Sequence, residues 1–390
     1  MYKIKLFNNI SEIGLRNFPK DDFVYSSDAE EYDGILVRSA NLSLDSLPES
    51  VLAISRAGAG VNNIPVEGCT ELGIPVFNTP GANANAVKEM VVAALYMSSR
   101  NVAEAIAWVD TIKDRGDEIP KLVEDGKAQF VGPEVSGKSL GVIGLGAVGV
   151  LVANVATNLG LTVYGYDPYI SVDRAWGLSR AVIHANDIND IYANCDYITI
   201  HIPLTKETHS FINAENIKHM KPGVRVLNFA RGELINSEDM VEAVKSGKVF
   251  CYVTDFPDKY LIGQKGILSV PHLGASTPES EENCAVMAVN ELVSYLQTGS
   301  ITNAVNFPVC EAPSTYIGRI TMFNKNEPGV LSLVTTLASE SGYNIDHMTS
   351  SSNKGSGTAY MILDLDKKPE QAFIEQLKEL PGIIRVRVIG

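Results

Sequence analysis

Gly144-Leu145-Gly146-Ala147-Val148-Gly149 directly follows the apolar run Leu140 to Ile143. It opens a segment in which Val148, Leu151, Val152, Val155, Ala156 and Leu159 recur at helical spacing. A strand that turns on glycines into an amphipathic helix is half of a βαβ unit, which demands a parallel sheet with helices on its faces. The helix is predicted to close near Gly160. Its first N–H groups have no partner within the helix, its dipole end is positive, and glycines let a ligand approach the backbone. Gly144, Gly146, Ala147, Val148 and Gly149 are therefore predicted to hold the pyrophosphate of a dinucleotide. Asp167 ends the next strand, within the roughly 20-residue spacing of a carboxylate that bonds the adenosine ribose hydroxyls, which favours NAD over NADP. The other reading is a glycine turn that only packs a helix on a sheet.

Strand-like runs at Lys3 to Phe7, Gly34 to Val37, Val51 to Ser55 and Ile74 to Phe77 precede this motif. Others at Leu161 to Tyr166, Tyr197 to Ile202, Val224 to Phe229, Phe250 to Asp255 and Ile267 to Val270 follow it. Helical stretches lie between them, including 83–126, where Ala86, Val87, Met90, Val91 and Ala94 share a face. The alternation predicts an α/β chain of two doubly wound parallel-sheet lobes. One is a flavodoxin-like substrate lobe, 1–85 with a returning segment at about 288–310. The other is a Rossmann NAD lobe, 86–287. Past Asn306, Pro308 and Pro313, a plausible linker, residues 315–390 read strand, helix, strand, strand, helix, strand. That is a small ferredoxin-like α+β module.

The 390 residues carry a net charge of −14, which disfavours nucleic acid and anionic membranes as partners. No apolar stretch suits a signal peptide or a bilayer span. Five scattered cysteines without a C-x-x-C pair read as reduced thiols of a cytoplasmic protein. His184, His209, His219 and His347 read as surface or packing residues, His201 as a neighbour of the cofactor, and no metal is expected because no ligand spacing is present.

Arg231, in Asn228-Phe229-Ala230-Arg231-Gly232, and His272, in Pro271-His272-Leu273-Gly274, each stand just past a strand, at the sheet edge where open α/β sheets bind ligands. Arginine presents a fork matched to a carboxylate, and histidine moves a proton near neutral pH. Together they suit transfer of a hydride from a 2-hydroxy acid to a nicotinamide.

With these segments, and with 56–61 (Arg-Ala-Gly-Ala-Gly-Val), 73–80 and 201–205, the chain resembles the NAD-dependent D-2-hydroxy acid dehydrogenases from about residue 1 to 310. The resemblance implies that His272 is the acid–base residue and that Arg231 binds the carboxylate and carbonyl. It places His201, Ala230, Arg231, Asp255 and His272 around NAD beside the glycine motif and Asp167. For the substrate it points to Arg38, Ser39, Arg56, Gly60 and Val61, with Arg38 and Arg56 open to being ordinary surface ion pairs. The family places a carboxylate beside its histidine where this chain has Lys259, so the neighbouring Asp258 is the candidate substitute.

The C-terminal module resembles an ACT domain, with its turn at Asn326-Glu327-Pro328-Gly329. Asn324, Asn326 and Asn344 match positions that bind an amino acid between paired modules; dimerisation without a ligand is the other reading. The fusion implies oxidation of D-3-phosphoglycerate to 3-phosphohydroxypyruvate, the first step of L-serine biosynthesis, with serine as a candidate effector in a homodimer or homotetramer. The alternatives are another D-2-hydroxy acid dehydrogenase acting on glycerate or hydroxypyruvate, and an NAD-sensing corepressor-like protein. Lys259 alone suggests a third, a catalytically weakened binding protein.

Overall fold

The computed structural model describes residues 1–313, 317–353 and 357–389. The expected module limits at Thr315 and Gly390 lie outside the described residues. The chain forms two compact units, Met1–Asn83 with Pro278–Gly390, and Ala84–Thr277. No helix among the described residues is long and apolar enough to cross a membrane.

The first unit holds a five-stranded sheet of β1 (Tyr2–Phe7), β2 (Phe23–Ser26), β3 (Gly34–Val37), β4 (Ala53–Arg56) and β5 (Val76–Phe77). Its order is β2-β1-β3-β4-β5 and every pairing is parallel, which is the flavodoxin-like order. The sequence reading misses β2. Only Phe23 of that strand is buried, while Val24 and Tyr25 face water, as an edge strand permits.

The return to this unit begins at Pro278, ahead of the expected 288. Pro278–Thr298 is one continuous helix, and its face of Cys284, Ala288, Val289, Leu292, Tyr295 and Leu296 packs on Ile4, Leu36 and Phe77. A boundary at 288 would cut that helix in two. Full burial of side chains such as Leu292 and Leu296 contributes roughly 1.5–3 kcal/mol each.

The second unit holds β6 (Ser139–Ile143), β7 (Thr162–Tyr166), β8 (Ile183–His184), β9 (Tyr197–Ile200), β10 (Val224–Asn228), β11 (Val249–Thr254) and β12 (Ile267–Ser269). All are parallel in the order β12-β11-β10-β9-β6-β7-β8, so the direction of winding reverses between β6 and β9. The crevice at such a reversal is where this architecture binds ligands. The helix after the glycine turn, Ala147–Asn158, buries Gly149, Val150, Val152, Ala153 and Ala156, and Leu151 is 37% exposed. The expected stripe through Leu151 and Val155 is therefore displaced around the helix. Nearly every position is apolar, so hydrophobic period alone does not fix which face turns inward.

Four antiparallel strands, β13 (Gly318–Lys325), β14 (Ile345–Asn353), β15 (Thr358–Leu365) and β16 (Ile383–Ile389), run in the order β14-β15-β13-β16 with helices Val330–Glu340 and Gln371–Glu379 on one face. This is the expected ferredoxin-like module, but it is not free-standing. Its other face lies on the first lobe, where Phe323 stacks with Phe307 and Tyr360 at 4.3 and 4.5 Å and shares the core of Ile4 and Leu292. Three side chains from this sheet grip the end of helix Pro278–Thr298. Arg387 donates to the carbonyls of Tyr295 (3.1 Å) and Leu296, Arg319 to that of Thr298 (2.9 Å), and Tyr360 to that of Gly299 (2.6 Å). Arg385 reaches the carbonyl of Val51 at 2.7 Å. This face of the sheet is thus covered within the chain.

Candidate active site

Gly144 sits at φ +91°, a left-handed conformation, and a Cβ there would come within 2.7 Å of the His201 carbonyl oxygen. A Cβ on Gly149 would come within 1.9 Å of the Gly144 carbonyl oxygen, so this glycine lets the helix close onto the strand. Gly146 is different. Nothing lies within 4 Å of where its Cβ would be, and it caps the helix without a side-chain bond to the first turn. The space beside Gly146 at the head of this helix is therefore open, which fits a pyrophosphate.

Asp167 accepts from Leu145 N at 2.8 Å on Oδ2 and from Tyr169 N at 2.9 Å on Oδ1. Each oxygen keeps a lone pair for a ribose hydroxyl, and the carboxylate holds the glycine turn in shape. His201 N extends the β6–β9 ladder to Ile143 O at 2.7 Å, and its ring nitrogen Nε2 meets Thr199 Oγ1 at 3.0 Å. Burial drives its pKa down to about 3, so the ring is neutral beside the cofactor turn. The residues present fit a dinucleotide.

Arg231 follows β10 in extended backbone, φ −150° and ψ 142°, with its side chain exposed. Asn228, fully buried, fixes that turn. Its Nδ2 donates to Arg231 O at 2.8 Å, and its Oδ1 accepts from Ala230 N at 3.1 Å. His272 is exposed beyond β12, its ring 4.8 Å from that of Phe256.

Asp255, 1% exposed, ends β11. Its Oδ2 accepts from Gly274 N at 2.9 Å, while Oδ1 has no hydrogen-bond partner among the described residues. Burial raises the pKa of this carboxyl, and the Gly274 N–H and the charges of His272 and Arg231 pull it back down.

Asp258, the expected partner of His272, is occupied elsewhere. Ser237 Oγ donates to its Oδ2 at 2.5 Å, and the N–H groups of Tyr260 and Leu261 donate to Oδ1 at 2.8 and 3.0 Å. No ion pair within 4.0 Å joins it to His272 among the described residues. Its side chain closes a turn, as aspartate does at the start of helical segments.

In the first unit, Arg38 at the end of β3 pairs through Nη2 with Glu281 Oε1, both side chains being partly exposed. Arg56 is held inward, with Nε donating to Arg38 O at 2.9 Å and Nη1 to Gly60 O. Its part is to brace the turn that carries Gly60 and Val61. Asn8, at φ +71°, accepts from the N–H groups of Ser39 (3.0 Å) and Ala40 (2.7 Å) and so shapes the turn after Arg38.

Residues 92–274 match the family model described as D-isomer specific 2-hydroxyacid dehydrogenase, NAD binding domain. This segment belongs to the NAD-binding domain family of the D-2-hydroxy acid dehydrogenases. Residues 320–385 match an AHAS small subunit-like ACT domain. D-3-phosphoglycerate dehydrogenase of Bacillus subtilis is 31% identical over 326 residues, 79% of this chain and 59% of the relative. The enzyme of that name from Synechocystis is 34% identical over 287 residues, 71% of this chain and 49% of the relative. The chain thus spans about half to three-fifths of the length of these curated relatives. NAD+-bound 3-phosphoglycerate dehydrogenase of Entamoeba histolytica superposes with a TM-score of 0.60 at 26% identity, over 78% of this chain and 98% of that one.

Asn228, the Gly274 N–H, Phe256 and Glu281 were not among the expected parts of the site. Asn228 lies inside the quoted Arg231 segment, and its position two residues before Ala230 is the signal for an Asx turn. Nothing in the sequence brings Glu281 to Arg38.

In the ACT domain, Asn324 is buried, its Nδ2 donating to Lys325 O at 2.8 Å, and its Oδ1 has no partner among the described residues. Asn326 and Asn344 are exposed, and Asn344 Nδ2 donates to Asp346 Oδ1 at 2.7 Å. Register separates them. Asn324 is level with Ala359 and Ser352, whereas Ile345, next to Asn344, is level with Leu365 and Gly318. That is six residues along a strand, about 20 Å.

Proposed function

We propose that this chain is an NAD-dependent D-3-phosphoglycerate dehydrogenase that oxidises D-3-phosphoglycerate to 3-phosphohydroxypyruvate, the first step of L-serine biosynthesis. The observation that carries the reading is that Arg231 and His272, the latter on a turn that the Gly274 N–H ties to buried Asp255, both stand at the carboxyl edge of a sheet whose glycine turn fits a dinucleotide. The shared name of the Bacillus subtilis and Synechocystis relatives, and the ACT domain, support the phosphorylated substrate.

Bound NAD supplies the hydride acceptor. Arg231 forks onto the substrate carboxylate and polarises the forming carbonyl. The imidazole of His272 takes the hydroxyl proton as the C–H bond gives up its hydride. Asp255 stabilises the positive charge that His272 then carries, and takes the part given to Asp258 on sequence grounds. Arg38 and Ser39 receive the phosphate, with Arg56, Gly60 and Val61 holding the adjoining turn.

Asn324, Asn326 and Asn344 form the candidate effector site for serine. Because Asn344 stands about 20 Å from the other two in register, a complete site requires a second copy, so the enzyme works as a homodimer or homotetramer in the cytoplasm.

Reduction of 3-phosphohydroxypyruvate, followed by NADH absorbance, tests the assignment. His272→Ala is expected to lower kcat by about 10²–10⁴-fold. Turnover that survives both His272→Ala and Arg231→Ala would remove them from the chemistry. No turnover of any 2-oxo acid by the native protein would favour the NAD-sensing, corepressor-like alternative.

A further inference from the structure

Arg38 is already paired with a carboxylate. Glu281 holds its Nη2, with the two side chains 43% and 44% exposed. Glu281 lies in the first turn of helix Pro278–Thr298, where the dipole favours negative charge, and Arg38 lies at the end of β3. Cys284, one turn further along that helix, feels the charges of both Arg56 and Arg38, so the two guanidinium groups gather at the start of the helix. Arg56 is the more committed of the two, its Nε and Nη1 donating to the carbonyls of Arg38 and Gly60.

A partly exposed ion pair shifts an equilibrium by at most about five-fold. A phosphate dianion offers Arg38 a bidentate contact and twice the charge, so it can displace Glu281. A carboxylate-tailed substrate only exchanges one carboxylate for another and gains little.

We propose that Glu281 is a latch on Arg38 that the anionic end of the substrate must open, so that it sets the affinity with which Arg38 receives the phosphate. This rests on the reading above that Arg38 receives the phosphate. Glu281 is a positioning residue here, acting through Arg38.

Glu281→Gln keeps the shape and removes the charge. Its KM for 3-phosphohydroxypyruvate is expected to fall about five-fold, with kcat changed far less. Its kcat/KM for oxaloacetate, a 2-oxo acid with a second carboxylate, should rise by a similar factor. On an Arg38→Ala background the same change should do nothing. An unchanged or higher KM for 3-phosphohydroxypyruvate in Glu281→Gln would overturn the latch.

Binding of inorganic phosphate to the native protein and to Glu281→Gln, measured by calorimetry, separates this proposal from the substrate assignment. If the native enzyme fails to turn over 3-phosphohydroxypyruvate while phosphate binds Glu281→Gln more tightly, the assignment falls and the latch stands. Equal phosphate affinity in the two proteins overturns the latch.

Discussion

The backbone N–H of Gly274 donates to Asp255 Oδ2 at 2.9 Å, tying the turn that carries His272 to the end of β11. A Cβ on Gly274 would lie 3.0 Å from that oxygen, tighter than most real contacts, so the carboxyl would have to shift. Gly274→Ala and Asp255→Asn should therefore each lower kcat/KM, by about 10–100-fold, the scale on which misplacing a catalytic group acts. Steady-state kinetics on folded variants checks this. Native kinetics in Asp255→Asn would remove the carboxyl from the mechanism.

Asp258 should behave as a structural residue. Asp258→Ala loses the bonds to Ser237, Tyr260 and Leu261 and should cost about 1 kcal/mol of stability, the scale of a lost cap. The pH profile of kcat/KM should keep its shape. A displaced limb on that profile would return Asp258 to His272.

Glu291, on helix Pro278–Thr298, is 5% exposed; Asn303 Nδ2 donates to its Oε1 at 2.6 Å, and Oε2 has no partner among the described residues. Burial raises its pKa from 4.5 to about 8. Between those values the folded protein keeps a proton that the unfolded chain releases, so stability falls as pH rises from about 4.5 to about 8 and then levels. Glu291→Gln cannot ionise and should escape this loss, gaining on the order of 2 kcal/mol over the native protein at pH 8 relative to pH 4.5. Urea unfolding at the two pH values measures it. An equal stability difference at both would show that Glu291 titrates normally.

The Arg319–Asp364 pair, with side chains 4% and 0% exposed, lies where the C-terminal sheet meets the first lobe. Arg319→Met leaves Asp364 buried beside a lost partner and should cost about 3–5 kcal/mol. Thermal unfolding checks this; a loss under 1 kcal/mol would mean the sheet is only loosely attached.

All five cysteines are buried, and burial pushes Cys195 and Cys251 up to about 12 and Cys69 and Cys310 up to about 11. A thiol reagent at pH 8 should label none of them in the native protein and all five in denaturant. A cysteine that reacts rapidly in the native protein would contradict the packing.

Local pattern carried the two parallel sheets, because Gly144, Gly146 and Gly149 and the β-branched runs act through neighbouring residues. It also located Arg231 and His272 at strand ends. Long-range placement was not legible. The Arg38–Glu281 pair joins residues 243 apart, and Arg387 reaches Leu296 across 91. The phase of helix Ala147–Asn158 was hidden by its nearly uniform apolar composition, and β2 by its single buried side chain. Asp258 neighbours the family's carboxylate position, and local sequence could not show that Ser237 holds its side chain.

The most direct test compares kcat/KM for 3-phosphohydroxypyruvate and hydroxypyruvate in the native enzyme and in Arg38→Ala. A strong preference for the phosphorylated substrate is expected, which Arg38→Ala abolishes while turnover of hydroxypyruvate is retained. Equal or faster turnover of hydroxypyruvate by the native enzyme would contradict the phosphoglycerate assignment.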